Sequence, residues 1–125
     1  MKKVHILYRL DENGNPVPVD LADPQNAVDW GDWRRTHHKE CVIAQDPVHD
    51  SHGTLRYGIS TVFTGMNAGI DPPLLWETVI TRVGAPDEES YSHYASYASR
   101  IEAEVGHQQA LAFFRDGKIP APEDS

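Results

Sequence analysis

The chain has 125 residues, 39% of them hydrophobic and 24% charged, and a formal net charge of −8 from 11 basic and 19 acidic side chains. This length and composition fit one globular domain with a single core, and they exclude a fully disordered chain. The acidic balance disfavours contact with nucleic-acid phosphates and with anionic lipid. We therefore expect neither a nucleic-acid partner nor a membrane partner.

The N-terminus and the cysteine content bear on location. The opening MKKVHILYRL is too short, and too often interrupted by polar residues, for a signal peptide or a membrane span. Cys41 is the only cysteine, so no intrachain disulfide can form, which fits a reducing compartment. We expect the protein to remain in the cell that makes it.

The first third of the chain predicts two short extended segments and a helix. Residues 4–10 and 17–19 are β-prone, and the Asn-Gly pair between them favours a turn. Asp23 can cap a helix over residues 24–37, with Pro24 at its first position. Within that helix, apolar residues recur at helical spacing: Ala27, Trp30 and Trp33.

The middle of the chain predicts three strands separated by loops. The strand segments are residues 40–45, 55–64 and 74–82, and the loops are residues 46–53 and 65–73. The strongest strand is 55–64, where Ile59, Thr61 and Phe63 alternate with residues facing the other way. The loop over residues 65–73 is short enough for the strands on either side of it to be antiparallel neighbours.

The C-terminal part predicts a helix over residues 100–115. Ser99 and Glu102 have the spacing of a capping box, in which each side chain bonds a backbone amide near the helix start. One apolar stripe should face the sheet, and we interpret Gly106 within it as a point of close approach. The stripe comprises Ala103, Gly106, His107, Ala110 and Phe114. A second strip, Ile101, Val105 and Ala112, indicates a partner surface, from which we expect a homo-oligomer.

These elements predict an α+β fold. We expect a small antiparallel sheet of three to five strands, with the C-terminal helix packed on one face and a short helix near the N-terminus. Residues 1–117 would form one domain, and residues 118–125 a mobile tail.

Two residues stand out as candidates for acid–base chemistry. Glu77 lies in an otherwise apolar strand, where an ionised carboxylate would need a partner such as His107. His107 lies on the apolar stripe of the last helix, where a hydrogen-bonded core histidine is the more frequent arrangement. Glu77 and His107 are therefore either a structural pair or a weak catalytic pair. Of the two, we favour the structural pair, and with it a protein that is not an enzyme.

Metal and nucleophile signals are weaker. His49 and His52 form the best metal candidate, with Asp46 and Asp50 beside them, but the spacing matches no established motif. A polar surface loop is the favoured interpretation, because a metal site needs further ligands. Cys41 lies in an apolar run, where a free cysteine usually packs as a core residue. We expect no cofactor.

Three segments of the chain form a recognisable series: residues 59–65 (ISTVFTG), 72–78 (PPLLWET) and 97–107 (YASRIEAEVGH). In their residues and in their order, they resemble a family of small uncharacterised proteins encoded by tailed phages. Family members often carry an Asp-His pair just after the first segment, whereas this chain has Met66-Asn67-Ala68. That loss weakens a metal or acid–base interpretation of the loop. The resemblance implies a phage accessory protein but no particular activity.

Together these observations favour a non-enzymatic binding protein. It would act in the host cytoplasm on a host or anti-phage defence component, either a protein or a small ligand. Aromatic residues are enriched in binding hot spots, and the candidates are Trp30, Trp33, Trp76 and Tyr94. The alternatives are a small hydrolase-like enzyme using Glu77 and His107, and a minor structural protein of the virion.

Overall fold

The protein is described from a computed structural model, which covers residues 6–67, 69, 71–84 and 91–115, without the Tyr91 side chain. It has two antiparallel sheets, with the C-terminal helix packed against the larger one. The predicted α+β fold is confirmed. The predicted tail, residues 118–125, lies outside the described residues.

The elements follow one another in a simple order. The strands are β1 (Tyr8–Leu10), β2 (Pro16–Pro18), β3 (Val42–His49), β4 (Leu55–Phe63), β5 (Trp76–Arg82) and β6 (Tyr91–Tyr97). The helices are α1 (Pro24–Thr36), α2 (His38–Cys41) and α3 (Arg100–Arg115). β1 and β2 form a hairpin, and the other four strands form one antiparallel sheet in the order β3-β4-β5-β6.

Local sequence signals account for the hairpin and for the start of α1. In the β1–β2 turn, one Asp11 carboxylate oxygen accepts from the amides of Asn13 and Asn15, both at 2.9 Å. Gly14 has a φ of 82°, which glycine adopts without a steric penalty. Asp23 caps α1 as predicted, by accepting from the Gln25 amide at 3.0 Å.

The predicted capping box begins α3. Ser99 Oγ accepts from the Glu102 amide at 3.1 Å, and Glu102 reaches back to accept from the Ala98 amide at 3.2 Å. Five residues of the helix are buried against the sheet: Ala103, Gly106, His107, Ala110 and Leu111. Leu111 belongs to this face in addition to the predicted stripe, and Phe114 is half-buried at its end.

The core consists of two adjacent clusters, and α3 contributes to both. The first contains Leu10, Cys41, Phe63, Leu75, Trp76 and Ala103. The second contains Val48, Ile59, Ile80, Ala110 and Leu111. Between them, the Tyr97 ring occupies the space that a Cβ on Gly106 would need. The predicted close approach at Gly106 is therefore confirmed.

The structure corrects the prediction around residues 40–53. Residues 38–41 form the short helix α2, and the strand that follows runs to His49, so the loop predicted for residues 46–49 was wrong. β3 is an edge strand. Pro47 is tolerated there because an edge strand leaves one row of backbone positions unpaired.

The fourth strand of the large sheet was not predicted. Residues 91–97 (YSHYASY) contain serine and alanine, and their tyrosines recur every third residue instead of every second. The structure explains the irregular spacing, because the β5–β6 register shifts between Thr78 and Val79. A register shift breaks the two-residue alternation by which strands are recognised.

In the described residues, no helix has the length and apolar character needed to cross a membrane.

Candidate functional site

A buried chain of hydrogen bonds is centred on His107. Its Nε2 lies 2.8 Å from Asp46 Oδ2, and its Nδ1 lies 2.8 Å from Thr61 Oγ1. Thr61 Oγ1 lies 2.5 Å from Thr78 Oγ1, which lies 3.0 Å from the Tyr97 hydroxyl. With its proton on Nε2, His107 donates to Asp46 and accepts at Nδ1. The hydroxyls can then donate in sequence: Tyr97 to Thr78, Thr78 to Thr61, and Thr61 to His107. Each polar side chain of this network thus has a hydrogen-bond partner.

Asp46, His107 and Thr61 have the order of a catalytic triad, but the hydroxyl is enclosed. The exposed fraction is 0% for Thr61 and Thr78 and 1% for His107. Thr61 and Thr78 lie on the face of the sheet that α3 covers, and His107 lies on the face of α3 that packs against the sheet. The two ends of the network, Asp46 and Tyr97, are partly exposed. A substrate therefore has no route to Thr61 Oγ1, and the network connects α3 to the sheet.

Glu77 is not part of this network. Thr78 points toward His107, so strand alternation places the neighbouring Glu77 on the opposite face of the sheet. There Glu77 is half-buried, and its carboxylate lies 3.9 Å from His93 Nε2. The structure does not bring Glu77 and His107 together, so the proposed hydrolytic pair is not assembled.

His49 and His52 lie at the end of β3 and in the turn that follows. Asp50 between them accepts from the amides of His52 and Thr54, at 2.8 and 3.0 Å. These backbone hydrogen bonds, that of Thr54 first, lower the pKa of the Asp50 carboxyl. The described part of the chain contains no group of three or more His, Cys, Asp or Glu residues arranged to hold a metal ion.

Cys41 is a core residue, as predicted. Burial raises the pKa of its thiol, and the nearby Arg34 guanidinium only partly opposes this effect. A thiol that is buried and protonated is a poor nucleophile.

Two of the four predicted binding aromatics, Trp76 and Tyr94, line none of the clefts found among the described residues. Trp76 is buried in the first core cluster, so its assignment to a binding surface was wrong. The strand alternation that places Thr78 under α3 places Trp76 there as well. Tyr94 is exposed on the edge strand β6, with its ring centroid 6.3 Å from that of Phe114.

Trp30 and Trp33 lie on α1 and hold it to the rest of the domain. Trp30 Nε1 donates to the Tyr8 carbonyl at 2.6 Å. Trp33 stacks on His37 with ring centroids 5.2 Å apart, and its edge meets Phe63. α1 itself contains no buried residue. The helix is therefore attached at a few points, which leaves open space on both sides of it.

That space forms two clefts that share Arg9 and Trp33. The larger, which we call the α1 cleft, has a volume of about 780 Å³ and lies between the hairpin, the end of α1, α2 and the start of α3. The smaller, of about 440 Å³, runs between the hairpin and Trp30. The α1 cleft is lined by Arg9, Leu10, Asp11, Glu12, Asn13, Gly14, Trp33, His37, Lys39, Glu40, Val42 and Arg100.

Three basic side chains from separate elements converge on the α1 cleft. Arg9 comes from β1, Lys39 from α2 and Arg100 from the first turn of α3. Arg100 pairs with Glu104 at 3.0 Å, whereas Arg9 and Lys39 make no ion pair within the described residues. The sequence did not indicate this convergence, because the three residues are far apart in the chain and only the fold brings them together.

The second apolar strip of α3 is exposed, as its position opposite the buried stripe predicts. Ile101 is 73% exposed and Val105 is 51% exposed. Both line a groove of about 540 Å³ between α3 and the end of β6.

Comparison with known proteins does not assign this groove or either cleft, because no family model, curated protein or solved structure matches the chain.

Proposed function

We propose that this protein is a non-enzymatic binding protein, and that it acts as an accessory protein of a tailed phage in the cytoplasm of the infected host. The observation that carries the first part is the enclosure of Thr61 and His107. Their network contains an acid–imidazole–hydroxyl arrangement that resembles a catalytic triad, and its hydroxyl has no access to substrate. The phage assignment rests on the sequence resemblance alone.

The clefts beside α1 support a binding role. Trp30 and Trp33 are half-buried and line these clefts, so each presents part of its ring to whatever enters. Tryptophan and arginine are over-represented among residues that dominate binding energy. A cleft of this volume also suits a small ligand. The target is therefore a host or defence component that enters or covers the α1 cleft.

Capture from extracts of phage-infected host cells tests this proposal. The immobilised full chain is compared with the cleft variant Arg9→Gln/Lys39→Gln and with the control Arg56→Gln/Arg115→Gln. The control removes the same charge at two exposed positions that do not line the α1 cleft. Captured proteins and heat-released small molecules are then identified by mass spectrometry. We expect one component that the wild type and the control retain and that the cleft variant loses.

Two outcomes would contradict the proposal. One is ester or amide hydrolysis by the purified protein that the substitution Thr61→Val abolishes while the fold persists. The other is the presence of the protein in purified virions at a fixed copy number, which would identify it as a structural component.

A further inference from the structure

We infer that the α1 cleft binds a small ligand made of a planar ring and a phosphate group, which is the chemistry of a nucleoside monophosphate. This inference rests on the proposed binding function and specifies its ligand. It follows from the size of the cleft, from two cations that make no ion pair within the described residues, and from the aromatic wall.

The size of the α1 cleft is that of a small-molecule site. Its volume of about 780 Å³ lies within the range of about 300–1,000 Å³ that ligand pockets occupy. Buried Leu10 and half-buried Val42 contribute apolar surface, whereas the rest of the lining is mostly polar. Such a site suits a compact ligand with several polar groups better than a long apolar chain.

The basic residues point to an anion with more than one charge. Arg9 and Lys39 come from different elements and leave their donors unused within the described structure. A guanidinium can donate two parallel hydrogen bonds to a phosphate, and an ammonium adds a compact charge. A phosphate monoester carries about −1.5 to −2 charges near pH 7, which two unpaired cations can balance.

The acidic residues of the cleft limit where that phosphate can lie. Asp11 uses one carboxylate oxygen to hold the hairpin turn, so it is committed to the fold. Glu12 and Glu40 also line the cleft and would repel an anion placed beside them. They can instead accept hydrogen bonds from hydroxyl or amino groups, which a nucleoside offers and a bare phosphate lacks.

The aromatic wall provides a place for the ring. Trp33 and His37 are stacked with an interplanar angle of 19°, and His37 is an exposed residue. A planar ring can extend this stack by lying on His37. Stacking of a base on an aromatic side chain strengthens binding and tolerates every base. The wall therefore selects for a planar ring without specifying which one.

Isothermal titration calorimetry on the full chain tests the inference with four probes. AMP carries both features, adenosine lacks the phosphate, ribose 5-phosphate lacks the ring, and inorganic phosphate lacks ring and sugar. We expect AMP to bind at least about tenfold tighter than each of the other three, because it alone uses the cations and the stack together. Quenching of tryptophan fluorescence provides a second readout, since Trp33 lines the cleft.

Variants then locate the site. Arg9→Gln/Lys39→Gln should weaken AMP binding about tenfold or more, whereas the control Arg56→Gln/Arg115→Gln should leave it unchanged. His37→Ala should weaken AMP binding and leave ribose 5-phosphate unaffected. Equal affinity for AMP and adenosine, or unchanged affinity in the cleft variant, would overturn the inference. If AMP fails to bind while infected-cell extract still yields a component that only the cleft variant loses, the binding function stands and the ligand class is wrong.

Discussion

Asp46 on the edge strand β3 and His107 on α3 are 61 positions apart in the chain, and their side chains meet at 2.8 Å. The contact joins the centre of β3 to the middle of the helix that covers the sheet. On its other side, His107 contacts Thr61 on the neighbouring strand β4. One imidazole therefore links two strands and a helix, and this explains why a histidine occupies an apolar helix stripe.

Removing the Asp46 carboxylate should destabilise the fold without affecting ligand binding. Asp46→Ala leaves His107 Nε2 unpaired in a buried position, and an unsatisfied buried donor costs about 1–3 kcal/mol. The free energy of unfolding, measured by urea denaturation, should fall by that amount. Glu77→Ala is the matched control, because Glu77 lies on the opposite face with a 3.9 Å contact to His93, and we expect a change below about 1 kcal/mol. Similar losses in both variants would refute the structural role of the Asp46–His107 contact.

Two glycines in helices should respond to alanine in opposite directions. A Cβ on Gly106 overlaps the Tyr97 ring, so Gly106→Ala should destabilise the protein by about 1–3 kcal/mol. A Cβ on Gly31, in α1, meets nothing within 4 Å, so Gly31→Ala should stabilise by about 0.5–1 kcal/mol. Thermal and urea denaturation of the two variants provide the comparison. The helix–sheet approach at Gly106 would be disproved if Gly106→Ala were as stable as the wild type.

The sequence was informative where structure is determined locally. α3 follows from a capping box and a periodic apolar stripe, which are fixed by residues a few positions apart. The second half of β3 and the whole of β6 were harder to assign. β3 contains Pro47, which is acceptable only because the strand lies at an edge, and β6 has a register shift at its centre. Both properties depend on neighbouring strands.

The candidate site was less predictable than the fold. Glu77 and His107 were the conspicuous residues, yet the partner of His107 is Asp46, which lies in a segment predicted as a loop. Arg9 and Lys39 carry no local signal, since exposed basic residues are ordinary in any sequence. Their convergence depends on how the hairpin and α2 dock around the sheet. A cleft of this kind requires the tertiary structure.

The Cys41 thiol should be almost unreactive in the folded protein. It is buried, and burial raises its pKa, so both access and thiolate content are low. DTNB should modify Cys41 rapidly only after addition of denaturant. The control is Ser51→Cys in a Cys41→Ala background, which places the thiol in an exposed turn and should react at once. Rapid modification of native Cys41 would contradict the buried position.

The same pKa shift has a consequence for stability at alkaline pH. The unfolded thiol ionises near its ordinary pKa of about 8.5, whereas the folded thiol ionises only at higher pH. The stabilisation is complete below the unfolded pKa and is lost as the pH rises from there through the folded pKa. The wild type should therefore lose more unfolding free energy than Cys41→Ala between pH 7.5 and pH 9.5. Parallel losses in the two proteins would show that Cys41 does not contribute.

α1 should open more readily than α3, because it has no buried residue and is held by a few contacts. One of them is the 2.6 Å hydrogen bond from Trp30 Nε1 to the Tyr8 carbonyl, which Trp30→Phe removes while the ring remains aromatic. Hydrogen exchange should be faster in α1 than in α3 in the wild type, and Trp30→Phe should accelerate it further in α1 alone. A ligand in the α1 cleft should slow it, since binding to the closed form opposes opening. Equal protection of the two helices would mean that α1 is an integral part of the core.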